Sequence, residues 1–174
     1  MIRKINKILF TTDLSISAIE VFEQTVSLAY QTGASIVMLH VIEDVTQNVK
    51  RQTVHLIDQD AYEKIRNDKS ERVKNVLIGK AKTVPIIHEA LQKLNEETKE
   101  KFNLSDKTVD IESIQVFFGD VAENIVKMAK VDECDLIVMG HHKKGSLLKA
   151  MTSSTSKRVL KQADIPVMLV PLAD

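Results

Sequence analysis

The chain has 174 residues, enough for one domain with a substantial core, and 44% of them are hydrophobic, which excludes a disordered chain. Lysine plus arginine and aspartate plus glutamate number 24 each, so no overall basic field exists to attract nucleic acid or an anionic membrane. The single cysteine, Cys134, excludes an internal disulfide and fits a reducing compartment.

The first apolar run, "INKILFTT" (Ile5 to Thr12), reads as a buried strand. The residues before it are basic but lack the apolar core and small-residue cleavage site of a signal peptide. No apolar run approaches the roughly 20 residues needed to span a bilayer. The expectation is a cytoplasmic protein with no membrane partner and no nucleic-acid partner.

A helical pattern follows from Ile16 to Gln31, with Ile19, Phe22, Val26 and Ala29 on one face and Gly33 as its stop. "ASIVMLHVI" (Ala34 to Ile42) is the second strand, and its nearly unbroken apolar run is expected where helices cover both faces of a parallel sheet. The segment from about 43 to 83 is a polar connection that reads as an insertion of one or two helices. Val84 to Phe102 then places Ile87, Ala90, Leu91 and Leu94 on one helical face. "VDIESIQVFF" (Val109 to Phe118) is the third strand.

Gly119 and Asp120 read as a strand-to-helix turn with a capping aspartate, leading into a helix over Val121 to Val131 that presents Ile125, Met128 and Ala129. Cys134 sits between Glu133 and Asp135 at a helix-to-strand junction, where nearby carboxylates raise a thiol's pKa rather than activate it. "DLIVMG" (Asp135 to Gly140) is the fourth strand. A helix from Ser154 to Gln162 presents Val159 and Leu160, and "IPVMLVPL" (Ile165 to Leu172) closes the series. The order is β-α-β-(insertion)-α-β-α-β-α-β in a single domain over 1–174. Such alternation predicts an α/β fold, an open doubly wound parallel sheet, Rossmann-like, with helices on both faces. Ligands of such sheets sit at the carboxyl ends of the strands, so the loops after Thr12, Val41, Phe118 and Gly140 are the places to search.

Four segments together resemble the universal stress protein family: "KILFTTDLS", "ASIVMLHVIED", "GDVAENIVKMAK" and "DLIVMGHHKKG…SSTSKRVLKQADIPVMLVPL". The resemblance covers nearly the whole chain apart from the long insertion. It implies a five-stranded parallel sheet and a homodimer joined through the last strand, Pro166 to Pro171. An apolar edge strand needs pairing or cover, so dimerisation would answer a physical liability. Further protein partners are not legible.

The resemblance also implies a site for ATP or another adenine nucleotide, with magnesium entering only together with the nucleotide. The positions it carries over are Thr11, Thr12, Asp13, Val41, Met139, Gly140, Lys143, Ser153, Ser154 and Thr155, with no metal ligand and no catalytic residue among them. Asp13 suits ribose or adenine because a carboxylate accepts hydrogen bonds, although Asp13 or Ser15 can equally cap the first helix. Val41 would offer backbone groups to the adenine edge, with His40 on the opposite face of the strand.

Binding members of the family carry a glycine, two residues, a second glycine, nine residues, then glycine followed by serine or threonine. Here Gly140 and Ser154 match, while Lys143 and Ser153 replace the second and third glycines. A lysine forced into left-handed geometry costs roughly 1–2 kcal/mol, and a serine adds a Cβ where a phosphate would pass. Against this, Lys143 and Lys144 bring positive charge, and the hydroxyls of "TSSTS" surround a helix N-terminus that favours an anion.

Two readings of function therefore stand: a regulatory stress-response protein that binds an adenine nucleotide, and a nucleotide-free dimeric interaction protein from the glycine-poor branch of the family. A third is an enzyme, a hydrolase or a nucleotidyl-transferring protein, on the same scaffold. It has the least support, because no catalytic constellation is visible: "GHHKKGS" has P-loop glycine spacing but Ser146 at the lysine position. His141 and His142 read as loop residues rather than ligands or acid–base groups.

Overall fold

The computed structural model describes residues 4–43, 83–102, 109–142 and 154–172. Within them the apolar runs form five strands: β1 (Lys7–Thr12), β2 (Ser35–Glu43), β3 (Ile111–Gly119), β4 (Leu136–His142) and β5 (Val167–Leu172). The helices between them are α1 (Ala18–Thr32), α2 (83–101), α3 (Val121–Val131) and α4 (Ser154–Gln162). All strand pairs are parallel, in the order β3-β2-β1-β4-β5. The expected five-stranded parallel α/β sheet is what forms. The proposed insertion falls almost wholly outside the described residues.

Why both faces must be covered is visible in the strands themselves. Ile8, Phe10, Ile36, Met38 and Val138 point to one side, where Val21 and Phe22 of α1 and Ile87 and Leu91 of α2 meet them. Leu9, Val37, Leu39, Ile137 and Met139 point to the other, against Ala122, Ile125 and Met128 of α3 and Val159 of α4. Side chains alternate along a strand, so adjacent apolar residues supply two cores at once. Phe10 and Phe22 join the first layer with ring centroids 5.0 Å apart.

Three helix faces differ from the expectation. The buried seam of α1 is Ala18, Val21, Phe22, Thr25, Val26 and Ala29, and Ile19 lies 40% exposed beside it. Thr25 can join the seam because its hydroxyl donates to Val21 O at 2.8 Å, leaving its methyl for packing. On α2, Ala90 is exposed while Ile87 and Leu91 are buried. On α4, Val159 is fully buried and Leu160 faces out.

α1 ends as expected at Gly33, whose φ of +72 lets its N–H reach Ala29 O at 2.8 Å. The corresponding turn after α3 has no glycine: Glu133 holds φ +53, and the Cys134 N–H returns to Ala129 O at 2.9 Å. Asp120 caps α3 by accepting from the Glu123 N–H at 2.9 Å, after Gly119 turns with φ +133. Cys134 is buried at the junction between α3 and β4, and burial, with Asp132 adding to it, pushes its thiol up to about 12.

Candidate functional site

The chain leaves β1 toward β2 and β3, then crosses back to place β4 on the other side of β1. Strand order reverses there, and helices on opposite faces diverge above the carboxyl ends of the strands. The opening is a cleft of about 480 Å³ lined by the ends of β1, β2, β4 and β5 and the starts of α1, α3 and α4.

The end of β1 folds through two successive side-chain-to-backbone bonds. Thr12 Oγ1 accepts from the Leu14 N–H at 2.9 Å, and Asp13 Oδ1 accepts from the Ser15 N–H at 2.9 Å. Leu14 takes φ +63 between them. α1 starts four residues after Leu14, following Ser17, which makes no side-chain cap bond. The carboxylate of Asp13 thus shapes a turn on the cleft rim rather than capping the helix, and it remains exposed. Thr11 is buried and its hydroxyl lies 3.4 Å from Val138 O, tying β1 to β4.

His40 stands opposite Thr12 in the β1–β2 register, and its Nδ1 lies 2.8 Å from Thr12 O. A carbonyl can only accept, so Nδ1 carries a proton and donates to Thr12 O. Strand alternation puts His40 on the α1 side and Val41 on the α3 side, as the sequence led us to expect. Both line the cleft.

On the α3 side the floor is apolar, formed by Leu39, Val41, Val121, Ile125 and Met139, with Glu43 at the outer end of β2. Thr155 and the buried Ser156 bring hydroxyls from the first turn of α4. Unpaired N–H groups at a helix start favour an anion. The cleft therefore joins an apolar floor, carboxylates suited to hydroxyl groups, and a helix start suited to negative charge. Among the described residues no group of three metal-ligating side chains converges.

Gly140 lines the cleft, but its backbone is not in the left-handed region. A Cβ there would come within 3.1 Å of both Leu172 Cδ atoms and of Val21 Cγ2. Its small size therefore serves the packing of β5 and α1 against β4.

Of the sequence-derived positions, Thr11, Thr12, Asp13, Val41, Met139, Gly140 and Thr155 come together around this cleft. Ser154 opens α4. Lys143 and Ser153 lie outside the described residues. His141 and His142 are not loop residues: they end β4, in register with Pro171 and Leu172. Sequence reasoning missed the cleft roles of His40, Glu43, Val121 and Ile125. Glu43 was accessible in principle, since it shares a strand face with Val41 two residues earlier.

Asp120 and Arg158 form a second feature that sequence reasoning left out. The Arg158 guanidinium donates to both Asp120 oxygens, at 2.7 and 2.8 Å, with Glu123 3.7 Å away. The hydrogen bonds to Asp120 hold the Arg158 pKa above its ordinary value.

Residues 4–171 match the sequence profile of the universal stress protein family. Universal stress protein MJ0577 of Methanocaldococcus jannaschii is 26% identical over 166 residues, which span 94% of this chain and 93% of that protein. Among solved structures, the universal stress protein UspA from Lactobacillus plantarum superposes with a TM-score of 0.61 at 20% identity, covering 97% of this chain and 99% of that one. A universal stress protein in complex with cAMP superposes with a TM-score of 0.58 at 13% identity, covering 97% and 98%. At these identities the two structures speak for a shared fold.

Proposed function

The chain belongs to the universal stress protein family, and from that premise we propose that its strand-end cleft binds an adenine nucleotide, ATP in the first instance, in a cytoplasmic regulatory protein. One observation carries the reading: Asp13, Val41 and the start of α4, distant in sequence, line a single cleft at the switch point of the sheet. In that arrangement the base lies on the apolar floor beside Val41. The ribose hydroxyls donate to Asp13, and the phosphates approach the first turn of α4. The cAMP complex of a structural neighbour lends the reading support from outside this chain.

One observation favours the rival, a nucleotide-free interaction protein: Lys143 and Ser153 stand where binding relatives have glycines. Both readings accommodate a homodimer through β5, which we also propose. β5 is an edge of the sheet, with Val167, Met168 and Leu169 only half-buried, and apolar edges call for pairing.

Thermal unfolding with ATP, ADP and AMP, with and without magnesium, separates the two. A ligand at a hundred times its Kd stabilises by about 2.7 kcal/mol, so a nucleotide binder shows a melting temperature that climbs with nucleotide concentration. A melting temperature unmoved by millimolar nucleotide overturns the nucleotide reading and leaves the rival.

A further inference from the structure

We propose that Arg158 and Asp120 are positioning residues for the anion-binding end of the cleft, holding the first turn of α4 in register against α3. In its functional consequence the proposal rests on the nucleotide reading. Each end of the clamp is attached directly to a cleft wall. Asp120 immediately precedes Val121, and Arg158 lies one helical turn beyond Thr155. The two helices otherwise meet through an apolar layer in which Val159, fully buried, packs with Ala122 and Ile125. Such a contact fixes the distance between helices but resists rotation and sliding of α4 weakly, because dispersion contacts have no direction.

The fork supplies the missing direction. Guanidinium and carboxylate planes joined by two parallel hydrogen bonds define an orientation as well as a distance. Arg158 is 37% exposed, but the bidentate geometry and the largely buried acceptor set the pair apart from an ordinary surface ion pair, which contributes little. The Asp120 side chain is 9% exposed and accepts from the Glu123 N–H as well as from Arg158, so its position is already set by the α3 backbone. An α4 turned about its axis would carry Thr155 and Ser156 away from the cleft.

The cap and the clamp can be separated. In Asp120→Asn the amide oxygen still caps α3. That oxygen already accepts from the Glu123 N–H, and a donor NH2 replaces the second carboxylate oxygen, so the two-bond fork with the guanidinium is lost. In Arg158→Lys the charge remains without the fork. The test compares AMP with adenosine, measured by calorimetry on wild type, both single variants and the double variant. The proposal expects each single variant to bind AMP roughly tenfold more weakly, adenosine affinity to stay at the wild-type value, and the double variant to be no worse than the singles. Equal losses for AMP and adenosine, or no loss for AMP, overturn it.

If wild type binds neither ligand, the titration with ATP decides the nucleotide reading separately, and hydrogen exchange of the unliganded protein decides the clamp. Faster exchange at the amides of Arg158, Val159 and Leu160 in Asp120→Asn, with the interior of α3 unchanged, sustains it. Unchanged exchange there overturns it.

Discussion

Gly140 and Leu172 are packed so closely that a methyl group on Gly140 would stand 3.1 Å from both Leu172 Cδ atoms. The contact joins adjacent parallel strands at the mouth of the cleft, where Gly140 pairs with Val170 and His142 with Leu172. The glycine of the family pattern at this position thus fits the close packing of the protein's own core, whatever the cleft binds. Gly140→Ala should destabilise by about 1–3 kcal/mol, the usual cost of overpacking. Adding Leu172→Ala should cost less than the sum of the two single changes. Urea unfolding of the three variants measures this.

His40 holds the end of β1 through Thr12 O. His40→Leu keeps the bulk but leaves that half-buried carbonyl without its donor, so stability should fall by about 1 kcal/mol. The Thr12–Asp13 turn loosens with it. Urea midpoints report the first effect, and a weaker nucleotide affinity in the same variant reports the second.

Cys134 should be inert in the folded protein. Its folded pKa is raised, foremost by burial, to about 12, while an unfolded thiol titrates near 8.5. The associated stability is fully present below about pH 8.5 and is lost as pH rises toward the folded value. A disulfide reagent at pH 8 should label Cys134 only under unfolding conditions. The loss of stability above pH 9 should be shallower in Cys134→Ala. Rapid labelling of the native protein would contradict the burial.

Glu133 occupies the left-handed position after α3 that Gly33 occupies after α1. A side chain there costs roughly 1–2 kcal/mol, and glycine repays part of that gain through its greater unfolded-state freedom. Glu133→Gly should therefore raise stability by about 0.5–1 kcal/mol in chemical denaturation.

Much of this fold was legible because two-sided burial writes itself into consecutive residues. "SIVML" in β2 serves both cores, and its shortness and β-branched residues favour a strand. Helix faces were harder where polar residues take part: Thr25 sits in the α1 seam by bonding its own helix, and Ile19 lies beside the seam rather than in it. Strand ends were harder still. Nothing in "GHHK" announces that β4 continues through both histidines, since their pairing depends on Pro171 and Leu172 some 30 residues away.

The site was legible as a set of positions and opaque as geometry. Asp13 and Val41 could be placed at strand ends from the pattern alone. That the Asp13 carboxylate folds its own turn, and that Gly140 answers to Leu172, are facts of packing between distant segments. The Asp120–Arg158 fork links residues 38 apart, with no periodicity to betray it. Asp120 could be read only as a cap, which is half of what it does.

The central claim is that the cleft beside Asp13 takes an adenine nucleotide, and calorimetric titration of wild type and Asp13→Ala with ATP tests it most directly. The account predicts a saturable heat at one nucleotide per chain for wild type, and an affinity about tenfold lower when the carboxylate that meets the ribose is removed. No heat from wild type at millimolar ATP, or equal affinity in the two proteins, would contradict it.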